Sequence, residues 1–188
     1  MPIRLINLRE CFMSEMPVVQ KKICTLGAFA VGKTSLVRRF VEGRFDDRYL
    51  SSIGVKISRK PVAVASTMVN LIVWDLAGSE DYNGLQASYL QGAAGGIVLC
   101  DVTRADTLKS WEYYSRRLLE VNPKARIVLV ANKIDMAESR VLNDALLLHT
   151  SARCEGILKV LPFYRASAKT GENVEQIFRA LAEQLIAG

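Results

Sequence analysis

Histidine occurs once in the sequence, at His149, a lone residue read as exposed and assigned no chemistry. The four cysteines (Cys11, Cys24, Cys100 and Cys154) form no C-x-x-C pair, which removes the dithiol signatures of zinc and redox sites. Cys24 and Cys100 fall in apolar, strand-like runs and read as small core hydrophobes of a reducing cytosol. No apolar run approaches the ~20 residues of a bilayer-spanning helix. Blocks of five or more basic residues are missing too. The net charge of +6 is spread over pairs such as Lys21-Lys22, Arg38-Arg39 and Arg116-Arg117, which read as solvated faces. No nucleic-acid partner is therefore expected. Internal repeats and low-complexity stretches are absent, and Arg4, Asn7, Arg9 and Glu10 interrupt any secretory signal in the first residues.

What is present suits one globular domain. The chain has 188 residues, half of them apolar and 23% charged, enough to bury a full core. Residues 1–20 precede the first strand-like run. Ile3, Leu5, Ile6 and Phe12 could make a short apolar face there, but the plainer reading is a loose arm ahead of a domain spanning 21–188.

That domain is organised around Gly27-Ala28-Phe29-Ala30-Val31-Gly32-Lys33-Thr34, which has the G-x-x-x-x-G-K-[ST] spacing of a phosphate-binding loop. The strand-like Lys21 to Leu26 precedes it. Ser35 to Val41 follows with apolar residues at helical spacing. The glycines allow successive backbone N–H groups to point at phosphate oxygens, and the helix adds its positive end. Lys33 would reach the β- and γ-phosphates, and the Thr34 hydroxyl would ligate Mg²⁺.

Further along, Ile53 to Lys60 alternates as a half-exposed strand, and Pro61 suits a sheet edge. Val69 to Trp74 reads as its hairpin partner and runs into Asp75-Leu76-Ala77-Gly78. An acid at the end of a buried strand beside such a loop can hold the Mg²⁺ shell. Gly78 offers an N–H to a γ-phosphate at close approach. Gly95 to Asp101 and Ala125 to Ala131 are continuous apolar runs typical of strands buried on both faces. Helices are expected over Thr107 to Val121, Ser139 to Ser151 and Asn173 to Ile186, with a strand near Val160 to Arg165. Strands alternating with helices predict a mostly parallel sheet covered on both sides.

Asn132-Lys133-Ile134-Asp135 directly follows a buried strand. Asp135 can accept two hydrogen bonds together, from guanine N1–H and its 2-amino group, which adenine does not offer. Asn132 can brace the base edge and the phosphate loop, while the stem of Lys133 lies over the ring. In Ser167-Ala168-Lys169 the Ala168 N–H could donate to guanine O6.

With these four elements in this order, the sequence from about Lys21 onward resembles a small GTPase of the Ras superfamily. Ser51-Ser52-Ile53-Gly54-Val55, Trp74-Asp75-Leu76-Ala77-Gly78 and Ser167-Ala168-Lys169-Thr170-Gly171-Glu172-Asn173 resemble its Rab-like branch. The resemblance implies a P-loop GTPase domain: a mostly parallel six-stranded sheet with one antiparallel edge strand and helices on both faces. It implies GTP or GDP and Mg²⁺ as ligands. Nucleotide contacts would come from Gly27, Ala30, Val31, Gly32, Lys33, Thr34 and Ser35, and from Asn132, Lys133, Asp135, Ser167, Ala168 and Lys169. The family would set Phe45 against the guanine, Tyr49 and Ser52 in the first switch, and Gly78 to Tyr82 in the second. Thr34, Ser52 and Asp75 would hold the metal. Lys33, Ser52, Gly78 and Ser79 would surround the reacting phosphate. An effector would bind regions 45–55 and 76–90 of a cytoplasmic monomer, with an exchange factor and an activating protein as regulators.

The departures from the family pattern bear on rate. Ser79 stands where the family carries the glutamine that orients water. Phe29 stands where it prefers Gly or a small polar residue, and Ser52 replaces a threonine. Leu185-Ile186-Ala187-Gly188 contains no prenylatable cysteine, so no lipid anchor is expected, and any membrane contact would come through a partner. The leading expectation is a slow guanine-nucleotide switch. The alternative is a hydrolysis-deficient GTP-binding scaffold that recruits a partner; a P-loop kinase or ATPase is disfavoured by Asn132 to Asp135.

Overall fold

Five strands of a single sheet run in one direction and end on the same edge, and the motifs lie along that edge. The computed structural model describes residues 16–46, 54–76, 87–155 and 161–187. The strands are β1 (Val18–Gly27), β2 (Val55–Val64), β3 (Thr67–Leu76), β4 (Gly95–Asp101), β5 (Arg126–Asn132) and β6 (Phe163–Ala166). The helices are α1 (Lys33–Glu42), the short α2 (Ala87–Leu90), α3 (Lys109–Val121), α4 (Asp144–Glu155) and α5 (Val174–Ile186). The sheet order is β2-β3-β1-β4-β5-β6. Only β2 is antiparallel to its neighbour, β3. The expected fold, including the antiparallel edge strand, is the observed one.

Each face of the sheet carries its own core. On one, Ile23, Leu71, Val73, Ile97, Leu99, Val128 and Val130 meet Leu36, Val37 and Phe40 of α1 and Ile177, Phe178 and Leu181 of α5. The Phe40 and Phe178 rings stack in parallel across this helix pair. On the other, Cys24, Leu26, Val98, Cys100, Ile127, Leu129 and Ala131 meet Trp111, Tyr114 and Leu118 of α3 and Leu147 of α4. Adjacent residues on β4 and β5 thus feed opposite cores, which is why those strands read as unbroken apolar runs. Burial pushes the Cys24 thiol up to about 12 and the Cys100 thiol up as well, so neither is a nucleophile at neutral pH.

Several element limits differ from the sequence expectation. Strand β1 begins at Val18, so residues 18–20, read as part of the arm, belong to the sheet, where they pair with Met68 to Asn70 of β3. Strand β2 runs through Pro61 as far as Val64, because it is the outer strand and Pro61 faces only Asn70 of β3. Its missing N–H leaves no ladder partner unsatisfied. Helix α4 starts at Asp144 rather than Ser139. A 3₁₀ turn occupies Ala137–Ser139, Val141 and Leu142 donate to the Val102 carbonyl, and Asn143 Oδ1 accepts from the Leu146 N–H at 2.9 Å as the cap. The bonds from Val141 and Leu142 to the turn after β4 hold those residues out of the helix.

Strand β1 sits between β3 and β4, where the chain changes direction across the sheet. A crevice outside the carboxyl ends of the strands opens at such a point. Around it lie the loop after β1, Asp75 near the end of β3, Asp101 ending β4, Asn132 ending β5 and Ser167 just after β6.

Candidate functional site

The phosphate-type loop takes its form from two glycines. Gly27 has φ 142, and a Cβ there would stand 2.5 Å from the Leu99 carbonyl oxygen. Gly32, at φ 97, would put a Cβ 2.3 Å from Asn132 Nδ2. Between them Ala30 adopts φ 60, left-handed for a residue with a side chain. Lys33 begins α1 and folds back over the loop, donating at 2.8 Å to the carbonyls of Gly27 and Ala28. No side chain caps α1, which leaves its positive N-terminal end open to an anion.

Charges of both signs are buried here. Lys33 is 5% exposed; burial lowers its pKa to about 8, against the raising effect of Asp75 and with a further lowering from Arg104. Asp75 is 1% exposed. One oxygen, Oδ1, accepts from Thr25 Oγ1 at 3.0 Å; Oδ2 is buried without a formed hydrogen bond. Burial pushes the Asp75 carboxyl up, opposed by the hydroxyls of Thr34 and Thr25 and by the charge of Lys33. A cation near Asp75 and an anion near Lys33 would relieve both.

The Lys33 value gives a pH prediction. A phosphate bound beside Lys33 would keep it charged, so above about 8 binding would take up a proton that the ammonium has lost. Affinity for a nucleoside diphosphate is expected to fall as pH rises past that point, by up to ~10-fold per unit. Titrations between pH 7 and pH 10 test this, and a flat profile would contradict it.

Loops from distant parts of the chain meet at Asn132. Its Nδ2 donates to the Val31 carbonyl at 2.9 Å, and its Oδ1 accepts from the Ala168 N–H at 3.1 Å. A contact from Ala168 to a base oxygen would therefore share a donor already in use. Asp135 is exposed, with Oδ1 accepting from Ser167 Oγ at 2.6 Å; the same hydroxyl accepts from the Thr170 N–H at 3.0 Å. Lys133, at φ 69, carries its ammonium to Asp101 Oδ2 at 2.6 Å. Burial pushes Asp101 up, but hydrogen bonds from Lys133 and Thr103 outweigh it and hold the carboxyl below its ordinary range.

A model of the Ras family matches residues 22–187. The chain belongs to the Ras family. Among curated proteins, it is 35% identical over 169 residues to the GTP-binding protein ypt5 of Schizosaccharomyces pombe, covering 89% of this chain and 78% of that one. The Rab-like expectation agrees with this relative.

In this Ras family chain, the structure brings Gly27, Ala30, Val31, Gly32, Lys33, Thr34, Ser35 and Asp75 to one part of the crevice. Asn132, Lys133, Asp135, Ser167, Ala168 and Lys169 gather at the other. Phe45 is half-buried and packs against the core beneath α1 and α5. Tyr49, Ser52, Gly78 and Ser79 lie outside the described residues, as do most of the two switch regions and residues 1–15.

One contributor escaped the sequence reading. Arg39, grouped there with solvated pairs, donates through Nε to the Ala168 carbonyl at 3.0 Å and through Nη1 to Gly43 at 3.1 Å. Its Nη2 also reaches the Lys169 carbonyl. It ties the helix behind the phosphate loop to the Ser167-Ala168-Lys169 loop. Only the Arg38-Arg39 pair marked it, and the second member of a basic pair carries no signal of direction.

Gly32→Ala tests the link between the loops. The added Cβ clashes with Asn132 and occupies a disfavoured backbone region. The variant is expected to bind guanine nucleotide at least ~10-fold more weakly, as read by equilibrium titration. Wild-type affinity would contradict the close approach.

Proposed function

We propose that this protein is a GTP-binding molecular switch that exchanges GDP for GTP, presents its GTP form to an effector in trafficking or signalling, and hydrolyses GTP slowly. The observation that carries the proposal is Asn132, bonded on one side to Val31 in the phosphate loop and on the other to Ala168 in the base loop. It makes a single site from a phosphate end and a base end.

The residues divide by chemistry. The first-turn N–H groups of α1 and the Lys33 ammonium take the phosphates. The Asp135 carboxylate, oriented by Ser167, accepts from the two donors on the guanine edge. Adenine would leave that acceptor unpaired, so ATP is expected to bind at least ~10⁴-fold more weakly than GTP. Lys133 is anchored by Asp101, which fixes where its stem can lie.

The residues also fit a hard dication. The Asp75 oxygen without a hydrogen bond and the Thr34 hydroxyl facing that carboxylate form an all-oxygen donor pair of the kind that suits Mg²⁺. Thr34 and Asp75 would hold it, with Ser52 assigned on sequence. Bound Mg²⁺ neutralises charge on the phosphate oxygens.

Ras family membership brings GTP hydrolysis with it, so a scaffold unable to hydrolyse is not the preferred reading. Slowness rests on Ser79, too short to orient water as a glutamine does. The intrinsic rate is expected at or below ~10⁻⁴ s⁻¹. Ser79→Gln should raise it by up to ~10²-fold, the lower range for one positioned polar group. Phe29→Gly should matter mainly when an activating protein supplies an arginine. Single-turnover hydrolysis alongside GTP-against-ATP competition tests the set. Wild-type turnover within seconds would contradict the slow switch, and equal affinity for ATP would contradict the guanine site.

The effector is assigned to regions 45–55 and 76–90 of a monomer, and residues 1–12 are assigned no part in nucleotide binding. No helix among the described residues is long and apolar enough to cross a membrane. We place the protein in the cytoplasm, with any membrane contact made through a partner.

A further inference from the structure

Between the phosphate loop and the base loop stands a second joint, built around Arg104 and Asp101, which no motif contains. Arg104 precedes the 3₁₀ turn Ala105–Leu108, and its backbone is fixed there. Its N–H donates to the Asp101 carbonyl at 3.0 Å, and its carbonyl accepts from Thr107 Oγ1 at 2.7 Å. From this base the side chain crosses to the phosphate loop, where Nη2 donates to the Phe29 carbonyl at 2.6 Å, over a separation of 75 residues. Arg104 Nε, itself buried, lies 3.4 Å from Asp101 Oδ2. The same carboxylate oxygen holds Lys133 at 2.6 Å.

We infer that Arg104 is a positioning residue that fastens the phosphate loop, at Phe29, to Asp101 and through it to the base-reading Lys133, and so slows nucleotide release. The inference rests on the nucleotide-binding reading above. Three features separate this contact from an ordinary surface ion pair, which contributes little. Asp101 is 1% exposed and Arg104 Nε is buried, so the facing atoms of the pair are shielded from water although the Arg104 side chain as a whole is 38% exposed. The guanidinium spans two partners at once, donating from Nη2 to the Phe29 carbonyl while Nε lies within ion-pair distance of Asp101 without a hydrogen bond to it, an arrangement that a lysine ammonium on a flexible stem does not reproduce. The loop segment held also needs holding, because Ala30, next to Phe29, sits at φ 60. In this inference nucleotide release involves the phosphate loop moving away from the base loop, and the joint opposes that separation.

The test loads the full chain with fluorescently labelled GDP in Mg²⁺ and follows release after adding excess unlabelled GDP. Arg104→Ala is expected to release ~10-fold faster, the scale of one charge-assisted hydrogen bond. Arg104→Lys is expected to recover only part of the difference. In an Asp101→Asn background, Arg104→Ala should change release by less than about 2-fold, because the partner that makes it a joint is already lost. A role in folding alone would not produce that dependence. Wild-type release from Arg104→Ala would overturn the inference and leave the nucleotide site standing. So would an undiminished effect in the Asp101→Asn background, or full recovery by lysine. A wild-type chain that retains no labelled GDP would remove the nucleotide-binding reading and this inference with it.

Discussion

Asp135→Asn is expected to reverse the base preference of the site. The Asp135 carboxylate is exposed toward the crevice and held by the Ser167 hydroxyl at 2.6 Å. As an anion it only accepts hydrogen bonds, which matches the adjacent N1–H and amino donors of guanine. An asparagine turns one acceptor into an NH₂ group, so a donor meets a donor. Ser167 can rotate to donate to the remaining amide oxygen, which keeps the loop in place and confines the damage to the base. Affinity for GDP should fall by about 10²-fold or more, as expected when polar groups are left unpaired in a binding site. Xanthosine diphosphate, which carries an acceptor where guanine has its amino group, should then bind better than GDP. Displacement titrations with the two diphosphates measure both effects. Unchanged affinity for GDP would place base recognition elsewhere.

Lys33→Ala is expected to weaken GDP and GTP alike, without altering the preference between bases. The ammonium serves the loop twice. It donates to the Gly27 and Ala28 carbonyls, and it is the buried positive charge beside the anion site. Its pKa near 8 shows that burial already disfavours the charged form, so a phosphate partner gains from neutralising it. Removing it leaves two inward carbonyls unpaired and the phosphates without their nearest cation. A loss of ~10²-fold or more is expected for charge-assisted contacts of this kind. Lys33→Arg should not restore it, because the planar guanidinium does not fold into a space shaped for a compact ammonium. Affinity within a few-fold of wild type in both variants would contradict the phosphate assignment.

The parts of the site that were legible in the sequence are those written in contiguous residues. The phosphate loop, Asp75, Asn132 to Asp135 and Ser167 to Lys169 each sit at the end of a strand whose apolar run announces it, and a parallel sheet brings such ends together. The parts that were not legible are side chains that bridge loops far apart in the chain. Arg39 reaches Ala168 and Arg104 reaches Phe29, and neither reach leaves a period or a motif. Lys22 is a similar case. Read as one of a solvated pair, it lies 3.7 Å from the centre of the Trp74 ring and donates to the Gln91 carbonyl at 2.7 Å. The start of α4 was obscured because Leu146 and Leu148 point outward while Leu147 is buried, which leaves the helix without a clean apolar stripe. The Asn143 cap and the bonds from Val141 and Leu142 to Val102 fix its beginning, and neither a lone asparagine nor a long-range backbone bond is legible in a sequence.

The central claim, a guanine-nucleotide site made from two loops joined by Asn132, is tested most directly by the ligand the protein carries. Freshly purified chain, kept in Mg²⁺ and then denatured, should release close to one guanine nucleotide per molecule, identified by chromatography and mass. An Asn132→Ala sample prepared in parallel should release much less. Adenine nucleotide in place of guanine, or wild-type protein that releases none and binds no added GDP, would contradict the account.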